Sequence, residues 1–211
     1  MNVARFKQLP ILGILRGGDV DTVEPLVETV VAAGLETIEI AMNTPDAAEM
    51  LRRMVHVAAG RLTIGAGTVI NRDRLETAIQ AGASFIVLPT LVEDVVTECG
   101  RRRVPVFPGA FSPQEILNAW QAGATMVKVF PSKVLGPAYF QEIHGPFPEI
   151  ELLACGGVGP GNLPSYLASG AAAVAFGGSV FKREWLTGGD FQQIGAAVGA
   201  MVDAFRSIGR S

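Results

Sequence analysis

Charge is scarce in this sequence: only 18% of its 211 residues are charged, and four are lysine (Lys7, Lys128, Lys133 and Lys182). The net charge is −3, and the longest basic run is Arg101-Arg102-Arg103. That triplet falls near an expected helix end, where cations are favoured, so no nucleic-acid partner is expected. Two cysteines, Cys99 and Cys155, have no metal-ligand spacing and cannot form a disulfide framework. His56 and His144 fall away from the expected strand ends and read as structural. No His, Asp and Glu cluster points to a metal, and none is expected. There is no run of ~18 apolar residues that would span a membrane and no signal-peptide pattern. A reducing, cytoplasmic compartment with no membrane contact is the resulting expectation.

Apolar residues and glycine are abundant: 49% of the chain is apolar and 25 residues are glycine. This balance suits an α/β domain whose sheet is covered on both faces. One unit recurs: a helical stretch ending in small residues and glycine, then a short apolar strand. Ala32-Ala33-Gly34 precedes Thr37-Ile38-Glu39-Ile40, and Gln80-Ala81-Gly82 precedes Phe85-Ile86-Val87-Leu88. Gln121-Ala122-Gly123 precedes the strand at 126–130, and Ala168-Ser169-Gly170 precedes Ala173-Val174-Ala175-Phe176. Glycine supplies the left-handed conformation that ends each helix. With further strands at 11–16, 62–67, 105–109 and 150–155, eight strands emerge, each followed by a helical segment. Helical periodicity is clearest at 20–33, 46–59, 72–81 and 113–122. No linker divides them, so the expectation is a single (β/α)₈ barrel domain over 1–211. An open, doubly wound sheet is the competitor, but Leu15-Arg16-Gly17-Gly18 is not a dinucleotide fingerprint.

In such a barrel the active site lies at the C-terminal ends of the strands. Lys128 interrupts the apolar run Met126-Val127-Lys128-Val129-Phe130-Pro131, where an unpaired charge is expensive. A buried amine in its neutral form attacks carbonyl carbon, the first step of Schiff-base chemistry. Alternation along 37–43 sends Glu39 to the same inward side. The pair reads as a nucleophile with a proton-shuttling carboxyl group. A lysine head reaching water, or an ion pair that merely satisfies itself, are the competing readings. Arg16 closes the first strand and suits a carboxylate clamp, with a solvated head as its alternative. Thr68, Pro89 and Pro108-Gly109 also fall at strand ends. Cys155-Gly156-Gly157 and Phe176-Gly177-Gly178-Ser179 end the last two strands, where barrels often cradle phosphate on backbone N–H groups.

These residues together resemble the class I 2-keto-3-deoxy-6-phosphogluconate/4-hydroxy-2-oxoglutarate aldolase family, most closely its 2-dehydro-3-deoxy-6-phosphogalactonate branch. The resemblance spans nearly the whole chain. It rests on Ile14-Leu15-Arg16-Gly17, Ile38-Glu39-Ile40-Ala41-Met42-Asn43-Thr44-Pro45, Ile64-Gly65-Ala66-Gly67-Thr68-Val69, Lys128-Val129-Phe130-Pro131, Gly136-Pro137 and the two Gly-Gly turns. It implies cleavage of a phosphorylated keto-deoxy sugar acid to pyruvate and glyceraldehyde 3-phosphate, with no cofactor because the protonated imine is the electron sink. Lys128 matches the Schiff-base lysine and Glu39 the general acid/base. Arg16 and Thr68 match residues holding the substrate carboxylate, and Gly156, Gly157, Gly178 and Ser179 match the phosphate cradle. Asn43, Pro89, Phe130 and Cys155 are carried over as pocket residues, and a homotrimer is implied. Two positions bear on the epimer. Asn43 stands where the gluconate branch has arginine, and Cys155 stands where the two branches have threonine or an apolar residue. An aldolase for the gluconate epimer or for 4-hydroxy-2-oxoglutarate stays open at this point. So do a sugar-phosphate isomerase and a barrel that only binds a phosphorylated ligand, since fold alone does not decide function.

Overall fold

In the computed structural model, which describes residues 1–208, the strands are β1 (Ile11–Leu15), β2 (Thr37–Ala41), β3 (Thr63–Gly67), β4 (Ile86–Val87), β5 (Val106–Phe107), β6 (Gly109–Ala110), β7 (Val127–Val129), β8 (Leu152–Cys155) and β9 (Ala173–Phe176). Every pairing is parallel, and the sheet runs β5-β4-β3-β2-β1-β9-β8-β7-β6. Its two ends, β5 and β6, are separated in sequence only by Pro108. Proline has no N–H to give the ladder, although its carbonyl accepts from the Lys128 N–H at 2.9 Å. The sheet therefore closes on itself as an eight-stranded barrel whose fifth strand is broken at Pro108. This corrects the uninterrupted strand expected at 105–109, where the apolar pattern concealed a missing donor.

The helices are α1 (Val3–Phe6), α2 (Val23–Ala32), α3 (Ala47–Ala58), α4 (Arg72–Gln80), α5 (Glu93–Arg102), α6 (Pro113–Gln121), α7 (Ser132–Leu135), α8 (Ala138–His144), α9 (Leu163–Ala168), α10 (Arg183–Gly188) and α11 (Phe191–Ile208). A single helix was expected over 20–33. The chain instead makes a 3₁₀ turn at Val20–Thr22, capped by Asp19 and Thr22, before α2 begins. Ser112 and Glu115 form a reciprocal cap with Pro113 at the first turn of α6. After α4 and α6, Gly82 (φ 96°) and Gly123 (φ 102°) turn the chain back toward the next strand.

Alternation along the strands sorts the apolar residues into two cores. Ile38, Ile40, Val127 and Val129 face outward into the layer between barrel and helices. Leu12, Phe85, Val87, Phe107, Met126 and Leu153 fill the inside. Phe6 from α1 packs on Phe107 with ring centroids 6.2 Å apart, and Phe85 meets Phe107 at 5.8 Å. This aromatic group occupies the N-terminal end of the barrel, and the polar inward residues stand above it.

Two glycines make room for large inward neighbours. A Cβ on Gly65 would lie 2.5 Å from the Phe85 ring, and one on Gly67 would lie 2.2 Å from Glu39 Oε1. Gly109, paired with Lys128, faces backbone instead: its Cβ would lie 2.2 Å from the Pro89 carbonyl oxygen. Gly109→Ala is therefore expected to destabilise by about 1–3 kcal/mol, as overpacking does. Gly100→Ala, in α5 with nothing within 4 Å of the new methyl, should stabilise by up to about 1 kcal/mol. Urea denaturation of both variants checks the contrast, and equal effects would contradict it.

Candidate active site

Counting round the closed barrel, β2 reaches β7 in four steps by either route, through β1, β9 and β8 or through β3, β4 and the split strand β5/β6. Glu39 on β2 and Lys128 on β7 therefore come from opposite walls. Both are buried, at 1% and 7% exposure. Glu39 Oε2 has no hydrogen-bond partner. Burial pushes the Glu39 carboxyl from its ordinary value of 4.5 up to about 7, against the opposing pull of the Lys128 and Arg16 charges. A carboxyl group poised there exists in both forms near neutral pH, as a group that must take and return a proton requires.

Lys128 borders a cavity of about 550 Å³. Lys128 is in its wall, near the Cys155 thiol, and its Nζ lies 5.3 Å from the Phe130 ring centroid, within cation–π reach. Arg16 and Thr68 line it from the ends of β1 and β3, and Pro89 follows β4. Thr68 is held in a left-handed conformation (φ 57°), and its carbonyl accepts from Arg74 Nη1 at 3.0 Å. The Gly156-Gly157 and Gly178-Ser179 turns complete the wall after β8 and β9. Gly156 and Gly157 have φ of 92° and 84°, a conformation that glycine alone adopts freely.

Cys155 also lines the cavity. Its backbone N–H donates to Ser132 Oγ at 2.9 Å, and Ser132 Oγ donates to the Val129 carbonyl at 2.7 Å. Ser132 thus ties the end of β8 to the end of the lysine strand. Burial pushes the Cys155 thiol up, the nearby Lys128 charge opposing it. The thiol stands there as a neutral group.

Asn43 is not brought together with the rest. It lines a neighbouring cavity of about 530 Å³ with Gly17, Thr44 and Pro45. Strand β2 ends at Ala41, and the Thr44 N–H bonds back to the Ala41 carbonyl at 2.9 Å. The two-residue alternation that turned Glu39 inward has therefore lapsed at Asn43. Arg16 and Arg183 line both cavities. The sequence reading overlooked Arg183 and Lys133, both in the main cavity wall. Lys133 had a signal, being one of four lysines and five residues beyond Lys128. Arg183 had none, because the segment after β9 has no pattern that fixes its course. Among the described residues no group of three or more His, Cys, Asp and Glu could hold a metal ion.

The chain is similar over most of its length to aldolases acting on phosphorylated keto-deoxy acids. A probable 2-dehydro-3-deoxy-6-phosphogalactonate aldolase of Rhizobium meliloti (strain 1021) is 33% identical over 196 residues, covering 92% of each chain. A solved structure described as native KDPGal superposes with a TM-score of 0.90 at 28% identity, covering 97% of this chain and 98% of the other. A KDPG aldolase from Legionella pneumophila, with pyruvate captured as a covalent carbinolamine intermediate, superposes with a TM-score of 0.84 at 25% identity over 91% and 93% of the two chains. The model of the KDPG and KHG aldolase family matches residues 3–197. With an inward lysine under that match, this protein belongs to the KDPG and KHG aldolase family, lyases that act on a carbon–carbon bond.

Proposed function

We propose that this protein is a class I aldolase that cleaves 2-dehydro-3-deoxy-6-phosphogalactonate to pyruvate and D-glyceraldehyde 3-phosphate. The observation that carries the reading is Lys128 in the cavity wall and, within reach of its charge, a buried Glu39 whose carboxyl is pushed up to about 7. Lys128 Nζ attacks the C2 carbonyl, and Glu39 moves the protons that turn the resulting carbinolamine into an imine with loss of water. The carboxylate then takes the C4 hydroxyl proton, and the C3–C4 pair flows into the protonated imine as the aldehyde leaves. Glu39 returns a proton to C3 of the enamine, and water releases pyruvate. Arg16 and Thr68 hold the substrate carboxylate, and Gly156, Gly157, Gly178 and Ser179 hold the phosphate on the far side of the cavity. Pro89, Phe130 and Cys155 wall the space between. Asn43 lines the adjoining cavity, which it shares with Arg16.

A sugar-phosphate isomerase or a non-catalytic phosphate-binding barrel would leave Lys128 without a task, and family membership favours neither. The reading includes a cytoplasmic compartment, from the cysteine usage, and a homotrimer, carried over from the family resemblance. Among the described residues, no helix is long and apolar enough to cross a membrane.

Pyruvate and borohydride should inactivate the protein and leave one reduced pyruvyl adduct, on Lys128 by peptide mass spectrometry. Lys128→Ala should abolish turnover while the protein stays folded, and Glu39→Gln should lower turnover by roughly 10²–10⁴-fold, the scale of a positioned acid/base. Adduct formation at Lys133 instead of Lys128 would overturn the assignment.

The epimer reading has its own test. Cys155 offers no hydroxyl to a C4 hydroxyl group, and a pocket without a dedicated partner discriminates weakly. The galactonate epimer should be preferred, with measurable cleavage of the gluconate epimer. Cys155→Thr should move the kcat/KM ratio toward the gluconate epimer by about 1–2 kcal/mol, one neutral hydrogen bond. Wild-type cleavage of the gluconate epimer that is faster by roughly tenfold or more would contradict the branch assignment and leave the aldolase reading standing.

A further inference from the structure

Among the described residues, eight of the sixteen lysines and arginines pair with a carboxylate: Arg5, Lys7, Arg52, Arg53, Arg61, Arg72, Arg101 and Arg102. Lys133 and Arg183 do not, nor do Arg16, Arg103 and Arg206, and the Lys133 and Arg183 head groups have no hydrogen-bond partner among the described residues. Both line the main cavity, whose wall contains four cations and no acidic side chain. Unpaired like charges gathered round one hollow repel each other unless an anion joins them.

Their placement is tied to the glycine turns. The Lys133 N–H donates to the Gly156 carbonyl at 2.9 Å, and a Cβ on Gly157 would lie 2.5 Å from Lys133 Cβ. The lysine stem therefore lies directly on the first turn, an approach that only glycine at 157 allows. Arg183 follows the second turn and opens α10, on the side of the cavity shared with Arg16. Backbone N–H groups give an anion site only partial charges, whereas a phosphate ester carries roughly −1.5 to −2 at neutral pH. Arg16 offsets the carboxylate end of the substrate, and two further cations match the phosphate end.

We propose that Lys133 and Arg183 clamp the terminal phosphate of the substrate from the two flanks of the glycine cradle, and so set this enzyme's selection for phosphorylated over unphosphorylated keto-deoxy acids. The proposal rests on the aldolase reading above and adds to it the groups that recognise the phosphate charge.

The test compares kcat/KM for 2-dehydro-3-deoxy-6-phosphogalactonate and for its unphosphorylated counterpart in Lys133→Met, Arg183→Met and the double variant. Each single change should lower the ratio of the two by roughly tenfold, the low end for a hydrogen bond to a charged group, through KM rather than kcat. The double variant should lower it by more, and Arg183→Lys should recover part of the loss. Calorimetric titration with inorganic phosphate should show weaker binding in the double variant than in wild type. An equal fall on both substrates, an unchanged ratio, or unchanged phosphate binding overturns the clamp. Failure of the wild type to form a pyruvate imine would overturn the aldolase reading instead, and the phosphate titration would still decide the clamp.

Discussion

The burial of two opposite charges across the inside of one barrel is the constraint on which the rest of the structure turns. A charge removed from water loses much of its hydration, and burial without a close partner disfavours its ionised form. Glu39 shows this directly, with one carboxylate oxygen unpartnered and burial outweighing two cations in setting its titration. Between about pH 4.5 and 7 the folded state holds this proton while the unfolded state releases it. The contribution of Glu39 to stability therefore falls as pH rises through that window. Two apolar cores frame this charged layer, one outside the barrel wall and one inside it that reaches Cys155 beside Lys128.

Glycine decides where the charged layer fits. Gly67 leaves the space that Glu39 Oε1 occupies, and Gly109 lets the split strand approach Pro89 beside Lys128. Gly157 admits the Lys133 stem. The barrel interior thus grades from aromatic packing at one end, through a lone acid and a lone lysine, to a cationic mouth edged by glycine turns. A substrate with a carboxylate at one end and a phosphate at the other matches that gradient in charge.

Much of this was legible in the sequence where local pattern and geometry coincide. Two-residue alternation placed Glu39 and Lys128 inside, and the Ala-Gly helix ends counted out the strands. The pattern misled where the backbone departs from regularity. Pro108 splits a strand that hydropathy reads as continuous, and Asn43 leaves the alternation because a turn begins at Ala41. Arg183 was invisible for a different reason: its place depends on how the chain returns from β9 to α10, and no period encodes that path.

The central claim is that burial holds Glu39 between its two protonation states at neutral pH while Lys128 restrains the shift. Carbon-13 NMR titration of the side-chain carboxyl groups tests it most directly, with the Glu39 signal identified by its loss in Glu39→Gln. The midpoint should lie near 7 in the ligand-free protein, and it should rise further in Lys128→Met, where the opposing cation is gone. A midpoint at or below the ordinary value of 4.5, or one that fails to rise when Lys128 is removed, would contradict the account.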